Sequence, residues 1–481
     1  MQLLDLNQYF AFTPPYLPRL PTMTSPFSSL PLAPELISNL SSLGYLEMTP
    51  IQAASLPIIL EQRDLIAQAK TGSGKTAAFG IGILAKLNPT YFAIQGLVVC
   101  PTRELADQVS NELRRLARFA DNIKVLTLCG GTAMRPQMAS LEHGAHIVVG
   151  TPGRLLDHIG RGSINLATVQ TLVLDEADRM VDMGFYEDIV GIVAACSPRR
   201  QTLLFSATYP DNIRKASEHF LREPAEVKVE SQHATSQIEQ LFFAVTPENR
   251  NAAVSRLLMH YQPVSTLAFC NTKIHCRELA EELQQQGISA LALHGDLEQR
   301  DRDEILVLFA NKSCSVLVAT DVAARGLDIQ TLGAVINVDV SKDTEVHIHR
   351  IGRTGRSGEK GLALSLAAPN EKKWVKLIEE YQNKAAQWHD LDLLEMNPET
   401  TLQAPMMTIC IMGGKKDKLR PGDLLGALTG DVGLSKEQVG KINVFEFMTY
   451  VAIDRQVAED TLDRLSRSNI KGRQFRMRII W

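Results

Sequence analysis

Between Asp64 and Thr208, short and nearly uninterrupted apolar runs alternate with longer amphipathic stretches. The runs lie at 64–67, 96–100, 124–128, 146–149, 171–174 and 201–205. A strand that is apolar on both faces is covered on both faces, which is the condition of strands in a parallel sheet flanked by helices. The pattern recurs at 266–269, 290–293, 315–318, 334–338 and 362–366. Two tandem α/β domains are therefore expected, at 27–231 and 238–382, with the polar 231–237 as a hinge. After 382 the regularity stops, and 383–406 reads as a linker. From 407 to 481 it resumes differently: strands at 407–412, 450–453 and 475–480, helices opening at Pro421 and near Val457. That order, close to βαββαβ, predicts a small α+β domain. The opening stretch 1–26 is proline-rich and unpatterned, so it reads as a disordered extension, with Met23 a candidate start.

Composition narrows the class. A chain of 481 residues exceeds one ordinary domain, and 45% hydrophobic with 22% charged residues is a globular balance. No apolar run reaches the ~20 residues that span a bilayer, and no signal-peptide pattern opens the chain. The seven cysteines are scattered, with no C-x-x-C pair, as in a reduced, cytoplasmic protein. The net charge of -4 is unevenly spread. Residues 408–481 hold 13 Lys+Arg against 9 Asp+Glu, so the tail is +4 and the rest -8. A basic tail on an acidic body points to a polyanion partner for the tail.

Ala69-Lys70-Thr71-Gly72-Ser73-Gly74-Lys75-Thr76 follows a strand and opens a helix. It has the spacing of a phosphate-binding loop, with Ala69 where the general motif has glycine. Gly72 and Gly74 let backbone N–H groups wrap the phosphates, Lys75 reaches the β- and γ-phosphates, and Thr76 is a Mg²⁺ ligand. Asp175-Glu176-Ala177-Asp178 ends a buried strand, where ligands bind in open α/β sheets. Asp175 is the second Mg²⁺ ligand, and Glu176 is positioned to deprotonate an attacking water. In the second domain, His349-Arg350-Ile351-Gly352-Arg353-Thr354-Gly355-Arg356 offers Arg353 and Arg356 as fingers for the γ-phosphate.

In order along 27–367, these motifs resemble the DEAD-box RNA helicases. The resemblance implies two RecA-like domains and ATP, Mg²⁺ and RNA as ligands. Phe27, Gly44, Tyr45 and Thr49–Gln52 resemble an adenine-reading element, with Gln52 on the base edge and Phe27 stacked on the base. Pro101, Thr102, Arg103, Gly131, Thr151 and Arg154 resemble the RNA-backbone elements, and 206–208 the element coupling hydrolysis to unwinding. The segments 299–302 and 319–328 resemble later motifs. These place Arg302 and Thr320 on RNA and Gly326 and Asp328 near the ribose and triphosphate. The tail, through 413–430 and 440–444, resembles the C-terminal domain of one bacterial branch of the family. That domain has an RNA-recognition-like fold and docks on a hairpin of 23S ribosomal RNA. Lys415, Lys416, Lys418 and Arg420, with Arg455 and Lys471, suit such a hairpin. The first tail strand, Thr408–Met412, carries no base-stacking aromatic, so basic contacts to folded RNA fit better than stacking on the sheet. The resemblance thus implies an ATPase that unwinds short RNA duplexes, monomeric, acting on 23S ribosomal RNA and the precursor large ribosomal subunit. A DNA helicase on the same scaffold and an ATP-gated RNA clamp are the rival readings.

Overall fold

The computed structural model describes residues 25–69, 72–209, 214, 217–229, 238–324, 332–355, 360–395 and 402–480. The expected extension up to residue 24 and the expected hinge at 231–237 lie outside them. The chain divides into two compact units, Met1–Ser231 and Gln232–Trp481.

The first unit is built on a seven-stranded sheet of order β3-β4-β2-β5-β6-β1-β7, with every pair parallel. Its strands are β1 Leu65–Gln68, β2 Gly96–Val99, β3 Val125–Leu128, β4 Ile147–Gly150, β5 Thr171–Asp175, β6 Gln201–Ser206 and β7 Ala225–Lys228. All residues of β2, β4, β5 and β6 are buried, which is why these four announce themselves as unbroken apolar runs. The edge strand β7 alternates half-buried and exposed positions, and no apolar run marks it.

In the second unit a further all-parallel sheet has the order β10-β11-β9-β12-β13-β8-β14. These are β8 Ile238–Ala244, β9 Thr266–Phe269, β10 Ala290–Leu293, β11 Val316–Ala319, β12 Ala334–Asn337, β13 Gly361–Ala367 and β14 Gln387–His389. The last departs from expectation. Within the stretch read as a linker, Gln387–His389 pairs with β8 as an exposed edge strand.

The tail forms an antiparallel sheet of order β16-β17-β15-β18. Its strands are β15 Met406–Ile411, β16 Val439–Val444, β17 Thr449–Asp454 and β18 Met477–Ile480. Period-2 alternation gives the sheet two apolar faces. Ile409, Ile411, Val451 and Ile453 pack on Leu424, Leu428 and Leu465 from the tail's own helical segments. The opposite face packs on the second parallel-sheet domain. There Cys410, Tyr450 and Ile480 cluster with Val307 and Leu308 from the helix Gln299–Ala310. Beside this cluster, Thr408 Oγ1 lies 2.8 Å from Ser313 Oγ and accepts from Asn311 Nδ2 at 3.2 Å. Asn443 Nδ2 donates to Asn311 Oδ1 at 3.0 Å, and the Met406 amide donates to Lys312 O at 3.2 Å. A seam with an apolar centre and a satisfied polar rim joins the tail to this domain.

Candidate nucleotide and RNA sites

Strand order sorts the candidate residues of the first unit into two groups. The phosphate loop, the acidic tetrapeptide and 206–208 follow β1, β5 and β6, which are neighbours in the sheet. Pro101–Arg103, Gly130–Gly131 and Thr151–Arg154 follow β2, β3 and β4, also neighbours. One sheet edge region thus presents nucleotide candidates and the adjoining one RNA candidates.

On the nucleotide side, Gly72 and Gly74 have φ of 81° and 95°, backbone that favours glycine. A Cβ on Gly74 would also meet Gln52 Nε2 at 2.6 Å. The approach is close because Gln52 Nε2 donates to Gly74 O at 3.1 Å. The other end of the amide, Oε1, accepts from the Thr49 amide at 2.9 Å. Gln52 therefore ties the loop to the capping box of the helix Pro50–Leu60. Phe27 is buried, edge-on to Tyr45 with ring centroids 6.4 Å apart. Lys75 opens the helix Lys75–Lys86 and donates to Ala69 O at 2.8 Å. Lys70 and Thr71 lie outside the described residues.

The acidic tetrapeptide is more tightly organised than its sequence suggests. Burial pushes the Asp175 carboxyl up to about 7, against the pull of Lys75. Its Oδ1 is buried with no hydrogen-bond partner among the described residues. A buried carboxylate short of donors, with the Thr76 hydroxyl at the loop, is the all-oxygen donor chemistry that suits Mg²⁺. Glu176 has φ of 55° and accepts from Arg179 Nη1 at 2.6 Å inside the protein. Asp178 Oδ2 accepts from the amides of Ala207 and Thr208 at 3.2 and 3.0 Å and from Thr208 Oγ1 at 3.0 Å. Burial works against its charge, but the Thr208 amide, Lys75, the Ser206 hydroxyl and Arg179 together hold its carboxyl below the usual range. These bonds connect the segment 175–178 directly to 206–208. Sequence reasoning missed Arg179, although it adjoins the motif.

On the RNA side, Thr102 caps the helix Arg103–Leu116 by accepting from the Leu105 amide at 3.3 Å. Arg103 lies against the Gly130–Gly131 turn, where Gly131 has φ of 76°. A Cβ on Gly131 would overlap the guanidinium, so the glycine gives Arg103 its place. Thr151 precedes the helix Pro152–Gly160, and Arg154 donates to Thr132 O at 3.1 Å and Gln137 Oε1 at 3.0 Å.

In the second unit Thr320 follows β11 and accepts from the Ala323 amide at 3.4 Å. Arg302 is half-buried on the helix Gln299–Ala310, and Arg353 is buried. Gly326, Asp328 and Arg356 lie outside the described residues. The organising residue is Arg350, a member of the motif to which the sequence assigns no role. It is fully buried and binds Asp321 through two 2.7 Å bonds, Asp339 O at 2.6 Å and Asn271 Oδ1 at 3.2 Å. One guanidinium thus ties together the loops after β11, β12 and β9. In the tail, Lys415, Lys416, Lys418 and Arg420 are all exposed on one short segment.

A parallel sheet with a glycine-rich loop after β1 and an acidic pair after β5, followed by a second such sheet, defines the two-domain nucleotide-driven helicases. Comparison with known proteins sharpens that class. Residues 49–216 match the DEAD/DEAH box helicase family, 249–358 the helicase conserved C-terminal domain, and 408–479 the DbpA RNA binding domain. The chain is 51% identical over 449 residues to the ATP-dependent RNA helicase DbpA of Escherichia coli, covering 93% of this chain and 98% of that one. It is 36% identical to DbpA of Bacillus subtilis, covering 94% and 99%. Among solved structures, S. cerevisiae Dbp5 bound to RNA and ADP BeF3 matches with a TM-score of 0.71 and 30% identity, over 76% of this chain and 96% of that one. The chain belongs to the DEAD-box ATP-dependent RNA helicases of the DbpA type. It hydrolyses ATP, acts on RNA and carries an RNA-binding domain at its C-terminal end. No helix among the described residues is long and apolar enough to cross a membrane.

Proposed function

We propose that ATP binds at the ends of β1, β5 and β6, with 69–76 around its phosphates, Lys75 on the β- and γ-phosphates, and Gln52 and Phe27 toward the adenine. Thr76 and Asp175 would hold Mg²⁺, which when bound offsets negative charge on the phosphates. Glu176, braced by Arg179, orients the attacking water and accepts its proton. Arg353 and Arg356, with Gly326 and Asp328, complete the phosphate site when ATP and RNA are both bound. Pro101, Thr102, Arg103, Gly131, Thr151, Arg154, Arg302 and Thr320 hold one RNA strand by its backbone, so the core has little sequence preference. Closure bends that strand and parts a short duplex, and hydrolysis resets the protein. The bonds from Asp178 to 207–208 support this coupling, because a change at the acidic segment moves 206–208 with it.

The tail then supplies the address: a hairpin of 23S ribosomal RNA in the precursor large ribosomal subunit, met by a monomer in the cytoplasm. The observation that carries this reading is the run of exposed cations at 415–420 within a domain matched as RNA-binding. Lys415→Glu with Lys416→Glu in the full chain should weaken binding of a hairpin-bearing 23S fragment and flatten its salt dependence by about two charges. Equal affinity in the variant and its parent would refute the tail's role.

A further inference from the structure

In an RNA-recognition fold, the sheet face turned away from the helices carries the aromatics that stack bases. In this tail that face is covered, with Cys410, Tyr450 and Ile480 packed on Val307 and Leu308. Exposed aromatic surface lies elsewhere, on the hairpin joining β16 to β17. Phe445 and Phe447 are 45% and 68% exposed, and Met412, which extends β15 beside the Ile411–Thr449 pair, is 51% exposed. A lone exposed apolar side chain needs no explanation, but three large ones at one tip do.

The tip is held stiffly. The Phe445 amide donates to Met448 O at 2.8 Å, and the amides of Lys415 and Lys416 donate to Phe445 O at 2.8 Å and Glu446 O at 3.0 Å. The Phe445 ring meets Tyr450 edge-on, with centroids 5.6 Å apart. A Cβ on Gly414 would meet Phe445 O at 2.4 Å, so glycine permits the basic segment to lie this close. Exposed Lys415 and Lys416 therefore flank the aromatics, and the Met412 amide binds the carbonyl of exposed Arg476 at 2.9 Å. Arg300 is exposed on the helix Gln299–Ala310, which also bears Arg302 and whose Val307 and Leu308 pack with Tyr450. The carboxylates here are engaged: Glu446 pairs with Lys416 at 3.6 Å, Glu304 with Arg478 at 3.9 Å, and Asp417 Oδ2 accepts from the Gly414 amide at 3.0 Å. Stiff aromatic faces bordered by cations suit a base and its phosphates.

We propose that Phe445 and Phe447 form a stacking platform for one or two unpaired nucleotides of the RNA held by the tail, with Lys415 and Arg300 at the flanking phosphates. RNA leaving the tail would then run onto the helix Gln299–Ala310 of the helicase domain. This inference rests on the tail's reading as the RNA-binding domain.

The test uses the full chain and fluorescence anisotropy with two RNAs, the 23S hairpin fragment with and without a single-stranded extension. The extension should tighten binding by the parent. Phe447→Ala should lose roughly ten-fold on the extended RNA, the effect of one base–aromatic stack, and little on the hairpin alone. Its salt slope should not change, because no cation is removed. Phe447→Trp should keep the affinity. No tightening by the extension, equal affinity of parent and Phe447→Ala, or an equal loss on both RNAs would overturn the platform. If Lys415→Glu with Lys416→Glu weakens both RNAs while Phe447→Ala weakens neither, the platform fails and the tail's RNA-binding reading stands. If none of these variants weakens either RNA, that reading fails as well.

Discussion

Thr408→Val probes whether the tail is fixed to the second helicase domain or merely tethered to it. The Thr408 side chain is fully buried in the seam, and its hydroxyl is shared by Ser313 and Asn311. Valine has the same shape, so the substitution opens no cavity. It leaves the Ser313 hydroxyl and one Asn311 N–H unmet in a buried seam. Each such group costs about 1–3 kcal/mol, so the lower bound for the pair is about 2 kcal/mol. That raises the seam's opening equilibrium ~30-fold. Native-state hydrogen exchange in the full chain reads this directly at the Met406 amide, which is bonded across the seam to Lys312 O. Its exchange should accelerate by about that factor in Thr408→Val. Adding Ser313→Ala should restore part of the protection, because one stranded hydroxyl is then removed with its partner; Asn311 is kept, since its Oδ1 accepts from Asn443 Nδ2. Unchanged exchange in Thr408→Val would refute the argument and mean that water already serves these groups. The same geometry predicts that excising the tail uncovers Val307 and Leu308, so point variants report on specificity more cleanly than truncation.

Two further outcomes follow from buried groups. Glu176→Gln should retain ATP and RNA binding yet stop hydrolysis, since an amide cannot accept the water's proton; phosphate release at the parental rate would exclude Glu176 as the base. Burial, reinforced by Arg350, pushes His347 down to about 3, and neither ring nitrogen has a hydrogen-bond partner among the described residues. Its unfolded value is near 6.5, so protonation favours the unfolded chain: stability is full above that pH and drains away as pH falls toward 3. By pH 5 the loss is about 2 kcal/mol, and His347→Leu should be spared it. Melting curves of parent and variant that fall in parallel between pH 7.5 and 5 would contradict this.

The sequence made legible what burial writes as composition. Strands β2, β4, β5 and β6 are buried at every position and read as apolar runs. Strand β7, Ala-Glu-Val-Lys, and strand β14, Gln-Trp-His, lie at sheet edges, where half or more of each strand meets solvent and no run forms. The pairing register of strand β16 shifts between Val439 and Ile442, which spoils its alternation. The glycine-rich loop was readable because phosphate binding demands particular backbone at fixed spacing. Arg350 was not, since its partners Asn271, Asp321 and Asp339 are scattered through the sequence and meet only in the folded domain. The seam was hidden for a related reason: Asn311, Ser313 and Thr408 look like surface residues until their mutual bonds are seen.

The proposed function makes the tail of this RNA-driven ATPase the part that chooses the RNA. Phosphate release by the full chain, measured at saturating ATP with the 23S hairpin fragment, an unrelated RNA hairpin and DNA of the same sequence, tests it in one experiment. Strong stimulation is expected from the 23S fragment at concentrations where the unrelated hairpin does little and DNA nothing. Equal stimulation by all three nucleic acids would contradict it.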